Sequence, residues 1–379
     1  MRDTWKDLGP GARVLVAMSG GVDSSVAAAI LVERGCDVVG VTMKNFCYSV
    51  VPEEHAGAAC CSLEAIEDAR AVARRLGIPH HVLDFEGPFR EAVMDPFVAE
   101  YAAGRTPNPC VRCNRFVRFP QLWRKARLLG AEAVATGHYA RAVTVGDRVE
   151  LRRPVDRAKD QTFYLWGLSR ALLERALFPL GELTKGQVRR RAAELGLATA
   201  EKPESQDICF IPDGDLRGFL AREVAARPAL AAAGRFDPGP IRDREGRELG
   251  THPGSAYFTI GQRRGLGIAA GEPVYVTAIG EDNALVVGLA PDLFADGLEA
   301  EDVNWLVGPD ELAEGEFEAE VQVRYRSAPA SATVEAGPGR TARIRFGVLQ
   351  RAVAPGQSAV VYQRDRLLAG GTIRASWGP

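Results

Sequence analysis

The sequence predicts an α/β protein: a doubly wound parallel sheet, then a small β-rich middle domain, then a C-terminal antiparallel β-barrel. Up to residue 215, short apolar runs alternate with segments of helical period, the pattern of successive β-α units. Beyond Leu216, Gly and Pro become frequent and the apolar pattern shortens to two-residue alternation. The expected domains are therefore 1–215, 216–295 and 296–379, which suits a chain of 379 residues at roughly 150 residues per domain.

Taken in order, Arg13 to Met18 is a short apolar strand ending in Ser-Gly-Gly, and Ser24 to Arg34 is a helix closed by Gly35 as its C-cap. Asp37 to Met43 reads as the second strand. Leu63 to Leu76 is an amphipathic helix with Ile66, Ala69, Ala73 and Leu76 on one face, and His80 to Phe85 is the third strand. Helices follow around Phe89 to Tyr101 and Phe119 to Leu129, and Ala133 to Thr136 supplies another buried strand just before Gly137 and His138. In the middle domain Asp243 to Gly246 is a turn, with strands at Val274 to Val276 and Leu285 to Val287. From Glu299 onward, Val321, Val323 and Tyr325, then Ile344 and Phe346, then Ala359 to Tyr362, trace antiparallel strands.

Composition narrows the function class. The N-terminus has neither the apolar core nor the cleavage site of a signal peptide, and no apolar run is long enough to span a bilayer, so a cytoplasmic protein with no membrane partner is expected. With 47 Lys and Arg against 49 Asp and Glu, the formal charge of −2 gives no global field for nucleic acid. One local field stands out. From Tyr101 to Ala131 no acidic residue occurs, while Arg105, Arg112, Arg115, Arg118, Arg124, Lys125 and Arg127 all fall there, a stretch suited to phosphates.

The loop Ser19-Gly20-Gly21-Val22-Asp23-Ser24 joins the first strand to the first helix, at the end of the sheet where ligands bind in open α/β folds. Its glycines let backbone approach phosphate oxygens, its serines offer hydroxyls, and the helix N-terminus presents N–H groups to an anion. A capped Gly-Gly turn is the bland reading. The loop lacks the Lys of a Walker loop and the third Gly of the dinucleotide fingerprint, which disfavours generic kinases and dehydrogenases.

Seven cysteines in a reducing compartment point to thiols, metal ligation or catalysis rather than a disulfide framework. Cys110 and Cys113 form a Cys-x-x-Cys within the basic stretch, where cations favour thiolate, and Cys209 follows near the end of the α/β region. No second Cys-x-x-Cys exists to close a structural zinc site. Two readings stay open: a relay in which one cysteine carries a persulfide that another resolves, or three thiolates on an iron-sulfur cluster with an open iron. Cys36 reads as a core residue; the Cys60-Cys61 pair precedes a helix and reads either as a redox or ligand site or, with Cys47, as core or loop thiols. His138 reads as structural, and Phe163, Tyr164 and Trp166 as core rather than base-stacking groups.

SGGVDS resembles the signature of the PP-loop ATP pyrophosphatases. Over nearly its whole length the chain resembles the bacterial tRNA-specific 2-thiouridylases, through SGGVDS, VTMKN around Met43, AGRTPNP before Cys110, ATGHY around Gly137, KDQTFYL from Lys159, DICFI around Cys209, GQRRGLGI from Gly261 and VRYR from Val323. The resemblance implies a PP-loop domain that uses ATP and Mg²⁺ to adenylate the 2-oxygen of the wobble uridine, which sulfur then displaces. It implies that Ala17, Met18, Ser19, Gly20, Gly21, Val22, Asp23, Ser24, Met43 and Gly137 contact ATP, with Asp23 near the pyrophosphate and Mg²⁺. Asn108, Pro109 and Cys110 would face the target base; Lys159, Asp160, Gln161, Arg324 and Tyr325 would hold tRNA. Cys113 matches the family's nucleophile and Cys209 its persulfide carrier, with a sulfur-donor protein or sulfide as partner. Many relatives carry Asp where this chain has Cys110. That difference favours a four-iron four-sulfur cluster on Cys110, Cys113 and Cys209 over the simple relay. The rival functions are a PP-loop synthetase using an amine nucleophile, and a non-catalytic nucleotide- or RNA-binding protein.

Overall fold

The computed structural model describes residues 2–46, 63–203, 208–227, 229–230, 234–269, 271–308, 311 and 315–378. It divides into two compact units, one of Met1–Val93, Pro109–Gly214 and Asp365–Leu367, the other of Met94–Asn108, Asp215–Arg364 and Leu368–Pro379.

In the first unit the expected parallel sheet is present. Strand β1 (Arg13–Ala17) leads through the glycine loop into α1 (Val22–Glu33), then come β2 (Asp37–Lys44), α2 (Leu63–Leu76), β3 (His80–Asp84), α3 (Phe119–Leu128) and β4 (Ala133–Ala135). Among the elements that the sequence reading missed are a hairpin of β5 (Arg141–Val145) and β6 (Arg148–Arg152), a short β7 (Ala176–Leu177) and helix α4 (Lys185–Glu194). The sheet runs β3-β2-β1-β4-β7, every neighbour parallel. From β1 the chain builds outward through β2 and β3, and then returns to build the other way from β4. The crevice between the C-terminal ends of β1 and β4 is thus the topological switch point where open α/β sheets take their ligands.

Helix α1 explains its Ala-rich sequence. Residues from Val22 to Leu31 are buried except Asp23, so small side chains on all sides let it pack closely between neighbours. At its C-terminal end Gly35 takes φ +80°, the left-handed turn that stops the helix. Its core includes Val14, Val16, Val26, Leu31, Val38, Ala69, Val188 and Cys36, so Cys36 is the core residue expected.

The second unit holds the two β modules. A four-stranded sheet orders β9 (Glu248–His252), β8 (Gly239–Arg242), β11 (Leu285–Gly288) and β10 (Tyr275–Ile279) around Ile241, Phe258, Leu266, Val276, Leu285 and Val287. A helix, α5 (Leu216–Ala226), precedes it where only β structure was expected. In the barrel, β17 (Arg366–Trp377), β12 (Phe294–Trp305), β15 (Thr341–Arg351), β14 (Ala330–Gly337), β13 (Glu316–Gln322) and β16 (Ser358–Gln363) are neighbours in turn, and pairing of β16 with β17 closes the ring. Closure leaves no exposed edge. One expected strand is shorter: β13 stops at Gln322, so Val323 and Tyr325 lie in a bend. The cause is the Gln322 amide, whose Nε2 donates to the carbonyls of Arg324 and Tyr325 at 2.9 and 2.7 Å and curls the chain. The helix expected at Phe89 to Tyr101 is interrupted by a π-helical turn, Arg90–Met94, before Asp95–Ala102.

Leu298 is fully buried in the barrel core. Replacing it with Ala should lower stability by about 2–5 kcal/mol, the range for large-to-small core changes. Urea unfolding checks this, and an unchanged midpoint would place Leu298 outside the structural core.

Candidate active site

Helix α1 begins without a side-chain cap. Gly21 occupies the N-cap in an extended conformation and nothing on it bonds the first-turn N–H groups, which leaves the positive end of the helix facing the switch point. The serines instead shape the loop. Ser24 Oγ accepts from the Ser19 N–H at 3.1 Å and donates to the Gly21 carbonyl at 3.1 Å, and Ser25 Oγ donates to the same carbonyl at 2.8 Å. Gly20 has φ +70°, and a Cβ there would sit 2.2 Å from the Ala65 carbonyl oxygen of α2, so both conformation and space demand glycine.

Gly137 ends β4 against the same helix start. A Cβ on it would lie 2.6 Å from the Ser24 nitrogen and 2.7 Å from the Asp23 carbonyl carbon. The two loops that the sequence picked out separately, SGGVDS and ATGHY, therefore touch through backbone. Met18 and Met43 are buried, and a Cβ at Gly40 would lie 2.6 Å from the Met18 sulfur, so this glycine of β2 makes room for the Met18 side chain. Ala17 and Val22 serve as the strand end and the buried first residue of α1.

Sequence reasoning missed the partners of Asp23. Lys185 Nζ lies 2.7 and 2.8 Å from its two carboxylate oxygens, and the Tyr139 hydroxyl donates to Oδ1 at 2.9 Å. Lys185 opens α4, whose start is fixed by a capping box between Thr184 and Gln187 and by the Lys185 N–H bonded to Asp156 at 2.9 Å. A lysine from a distant helix thus stands beside the phosphate loop, paired with Asp23. The Thr-x-x-Gln pattern was a readable helix start; its partnership with Asp23 was not.

Asp160 and Gln161 hold protein rather than projecting outward. Asp160 Oδ1 accepts from the Thr162 N–H and hydroxyl at 2.9 and 2.6 Å, and its other oxygen pairs with Arg153 at 3.3 Å. Gln161 Oε1 accepts from the Tyr139 N–H at 2.8 Å, which ties this turn to the ATGHY loop. Lys159, in the turn Arg157–Lys159, is half-buried. In the second unit, Arg324 donates to the Ala352 carbonyl at 2.5 Å, and burial with the nearby charge of Arg351 pushes its pKa down; Tyr325 is in the bend described above.

The cysteine pair lies on a short helical turn, Pro109–Arg112, continued by a π-helical turn over Cys113–Arg118. Asn108 and Pro109 lead into it. Arg112 Nε donates to the Ala92 carbonyl at 2.9 Å, and Asn114 Nδ2 donates to the Tyr164 carbonyl at 3.0 Å, anchoring both flanks of Cys113. Arg118 donates to Asn114 at 2.8 Å and lies 3.3 Å from His138 Nε2. The thiol-bearing turn is therefore linked by Arg118 and His138 to Gly137 and the phosphate loop. Phe89 makes a second link: Phe46, beyond β2, and Phe210, beside Cys209, both pack on it at ring-centroid distances of 6.3 and 5.8 Å.

The three thiols differ in exposure. Cys110 is exposed, Cys113 is buried at 7% and Cys209 is intermediate. Among the described residues no group of three or more His, Cys, Asp or Glu side chains is placed to hold a metal ion. The expected set of Cys110, Cys113 and Cys209 is not among such groups, and its members differ in exposure. Cys47, Cys60 and Cys61 lie outside the described residues.

His138 is the structural histidine expected. Its Nδ1 lies 2.7 Å from the Thr136 hydroxyl, its ring packs against Phe119 and Phe178, and burial, then the charge of Arg118, hold its pKa well below the usual value.

A parallel α/β domain with an uncapped glycine loop at its switch point defines a nucleotide-binding domain of the PP-loop type, here joined to two β modules. The family model for the tRNA methyl transferase HUP domain matches residues 12–213, that for the tRNA methyl transferase PRC-barrel domain 229–288, and that for the aminomethyltransferase beta-barrel domain 295–373. The chain is 50% identical over 366 residues to the tRNA-specific 2-thiouridylase MnmA of Carboxydothermus hydrogenoformans, covering 95% of this chain and 97% of that one. It is 46% identical to the protein of the same name from Heliobacterium modesticaldum, covering 95% and 92%. The chain belongs to the tRNA-specific 2-thiouridylase family.

Two outcomes follow from this geometry. Gly137→Ala pushes on the start of α1 and should lower kcat/KM for ATP by on the order of 100-fold, the cost of a small misplacement at a reacting centre; unchanged ATP kinetics would show that the contact does not shape the site. Because the folded pKa of His138 is depressed, the native state binds fewer protons than the unfolded chain as pH falls through the ordinary histidine range, so stability is full above it and declines below. The urea midpoint should therefore drop from pH 7.5 to 5.5 more steeply for the wild type than for His138→Gln, and equal slopes would contradict a neutral, half-buried ring.

Proposed function

We propose that the chain catalyses ATP-dependent 2-thiolation of the wobble uridine of tRNA, in three modules, with residues 1–215 carrying the chemistry and 216–295 and 296–379 contributing to tRNA binding, the last through Arg324 and Tyr325. The observation that supports this most directly is the link, within one unit, from the phosphate loop through Gly137, His138 and Arg118 to the turn that bears Cys113. An ATP site alone would not need that thiol-bearing neighbour.

In the first step the uracil 2-oxygen attacks the α-phosphorus of ATP. The O–P bond forms, the α–β bridging bond breaks, and pyrophosphate leaves. The loop backbone and the open N-terminus of α1 stabilise the developing negative charge. Asp23 is a hard oxygen ligand at the edge of this loop, suited to Mg²⁺ bound with the phosphates. Lys185, already held at Asp23, supplies the cation that a Walker loop carries within itself. Tyr139 fixes the carboxylate so that it does not swing away.

In the second step a persulfide on Cys209 attacks carbon 2 with its terminal sulfur, and the C–O bond breaks to release AMP. Cys113 thiolate then attacks the Cys209 Sγ; the S–S bond to the transferred sulfur breaks, and 2-thiouridine leaves. A Cys113–Cys209 disulfide remains, which an external dithiol reduces to two thiols; the Cys209 thiolate then attacks the outer sulfur of a persulfide carried by a sulfur-donor protein, whose own thiol leaves. Asn108, Pro109 and Cys110 sit at the entrance of the turn, where the target base would arrive, and Lys159 contributes to tRNA binding. The proposed compartment is the cytoplasm; among the described residues no helix is long and apolar enough to cross a membrane.

Incubating the chain with ATP, Mg²⁺, unmodified tRNA, a persulfide donor and dithiothreitol should yield 2-thiouridine on nucleoside analysis. Cys113→Ser and Cys209→Ser should each abolish the product while ATP binding persists. Thiolation that survives either substitution would overturn the relay, and if the wild type makes no 2-thiouridine under these conditions the reading as a thiolase fails.

A further inference from the structure

The thiol-bearing turn carries a feature that neither the ATP chemistry nor the relay uses. Trp166, Arg115, Phe116 and Arg112 alternate ring and guanidinium. The Arg115 Cζ lies 5.6 Å from the Trp166 ring centroid and 4.8 Å from that of Phe116, and the Arg112 Cζ lies 5.1 Å from Phe116 on its own account. The stack is graded in exposure: Trp166 is 2% exposed and Phe116 is 40% exposed. Its base is locked in the core, and its outer members reach solvent.

Two details show that the stack is built. Gly167 has no left-handed backbone to explain it, yet a Cβ there would lie 2.8 Å from Arg115 Cδ and 3.0 Å from Arg115 Cβ. Glycine at 167 is what lets the Arg115 stem lie flat beside Trp166. Arg112 is oriented in turn by its Nε bond to the Ala92 carbonyl. An exposed phenylalanine alone would be unremarkable on a surface. One set between two oriented guanidinium groups, inside a stretch of chain without a single acidic residue from Tyr101 to Ala131, is not.

We propose that this stack is a docking platform for an unpaired nucleotide of the RNA substrate, placed beside the turn that presents Cys110 and Cys113. Unpaired bases stack on aromatic rings and on guanidinium planes, and the same guanidinium groups pair with the adjoining phosphate. An acidic peptide would meet the charge but would leave the ring without a purpose, so the chemistry commits to nucleic acid. Phe116 and Arg112 contact the nucleotide; Arg115 and Gly167 position them. The proposal rests on tRNA being the substrate and adds where one of its loop nucleotides sits.

The test is tRNA binding by the full chain, followed by fluorescence anisotropy of a labelled unmodified tRNA. Phe116→Ala should weaken binding about tenfold, the order expected for losing one base–aromatic stack. Phe116→Trp should bind as the wild type does, with its indole emission quenched by tRNA. Gly167→Ala should weaken binding similarly by displacing Arg115, and the KM for ATP should stay the same in all three. If the wild type binds tRNA and both Phe116→Ala and Gly167→Ala bind it equally well, the platform is wrong while the thiolase reading stands. If the wild type binds no tRNA, the reading and the platform fall together.

Discussion

The structure depends on one close approach: the backbone of Gly137, leaving β4, against the first turn of α1. With a prospective Cβ 2.6 Å from the Ser24 nitrogen, no other residue leaves the two loops in register. That contact brings the ends of β1 and β4 together at the switch point and so creates the crevice. It also fixes where the positive end of α1 points, because Gly21 offers no side chain to satisfy the first-turn N–H groups. A helix end left open in this way is costly in a buried setting unless a ligand or water completes it. The same place recruits the charged groups: Asp23 is held from one side by Tyr139 of the ATGHY loop and from the other by Lys185 of α4.

What the sequence revealed followed physical periodicity. Strands β1 and β2 are near-continuous Val-rich runs because both faces are covered, and β1 to β4 were legible to within a residue or two at their ends. The loop was legible because its glycines and serines each have a local reason to be there. The hairpin of β5 and β6 was missed although Gly146-Asp147 between two alternating segments is a hairpin signal. Val323 and Tyr325 were taken as strand because alternation continues past Gln322; a side-chain amide bonding its own following carbonyls ends the strand without any change in hydrophobic pattern. The helical turn at Cys110 was hidden by Pro107 and Pro109, which read locally as breakers, whereas Pro109 sits at the first helical position, where proline is favoured.

Long-range pairing was the part that periodicity does not encode. Asp23 was readable as a site residue, but Lys185 lies 162 positions away, and only the topology makes them neighbours. Asp160 and Gln161 came to attention through motif resemblance, and the structure shows both side chains engaged in holding the turn beside Tyr139. Any influence of Gln161 on RNA therefore passes at least partly through the placement of that loop. The thiols were countable in sequence, but their exposure was not: Cys110 is exposed and Cys113 buried on the same helical turn.

That separation suits the proposed chemistry better than three equivalent thiols would. In that scheme the resolving thiol must stay reduced until the sulfur has been transferred, which favours a position away from solvent, and Cys113 is nearly inaccessible with both flanks anchored by Arg112 and Asn114. The carrier has the opposite need, since it must accept sulfur from outside the protein, and Cys209 is the more accessible of the two, on a turn whose Phe210 is seated on Phe89. Phe89 is fully buried beside the π-helical turn Arg90–Met94, whose Ala92 carbonyl receives Arg112. The ring that anchors the carrier's turn and the backbone that anchors the resolving thiol's turn thus belong to one continuous helical stretch. The turns that bear Cys113 and Cys209, from distant parts of the chain, are both seated on the same element.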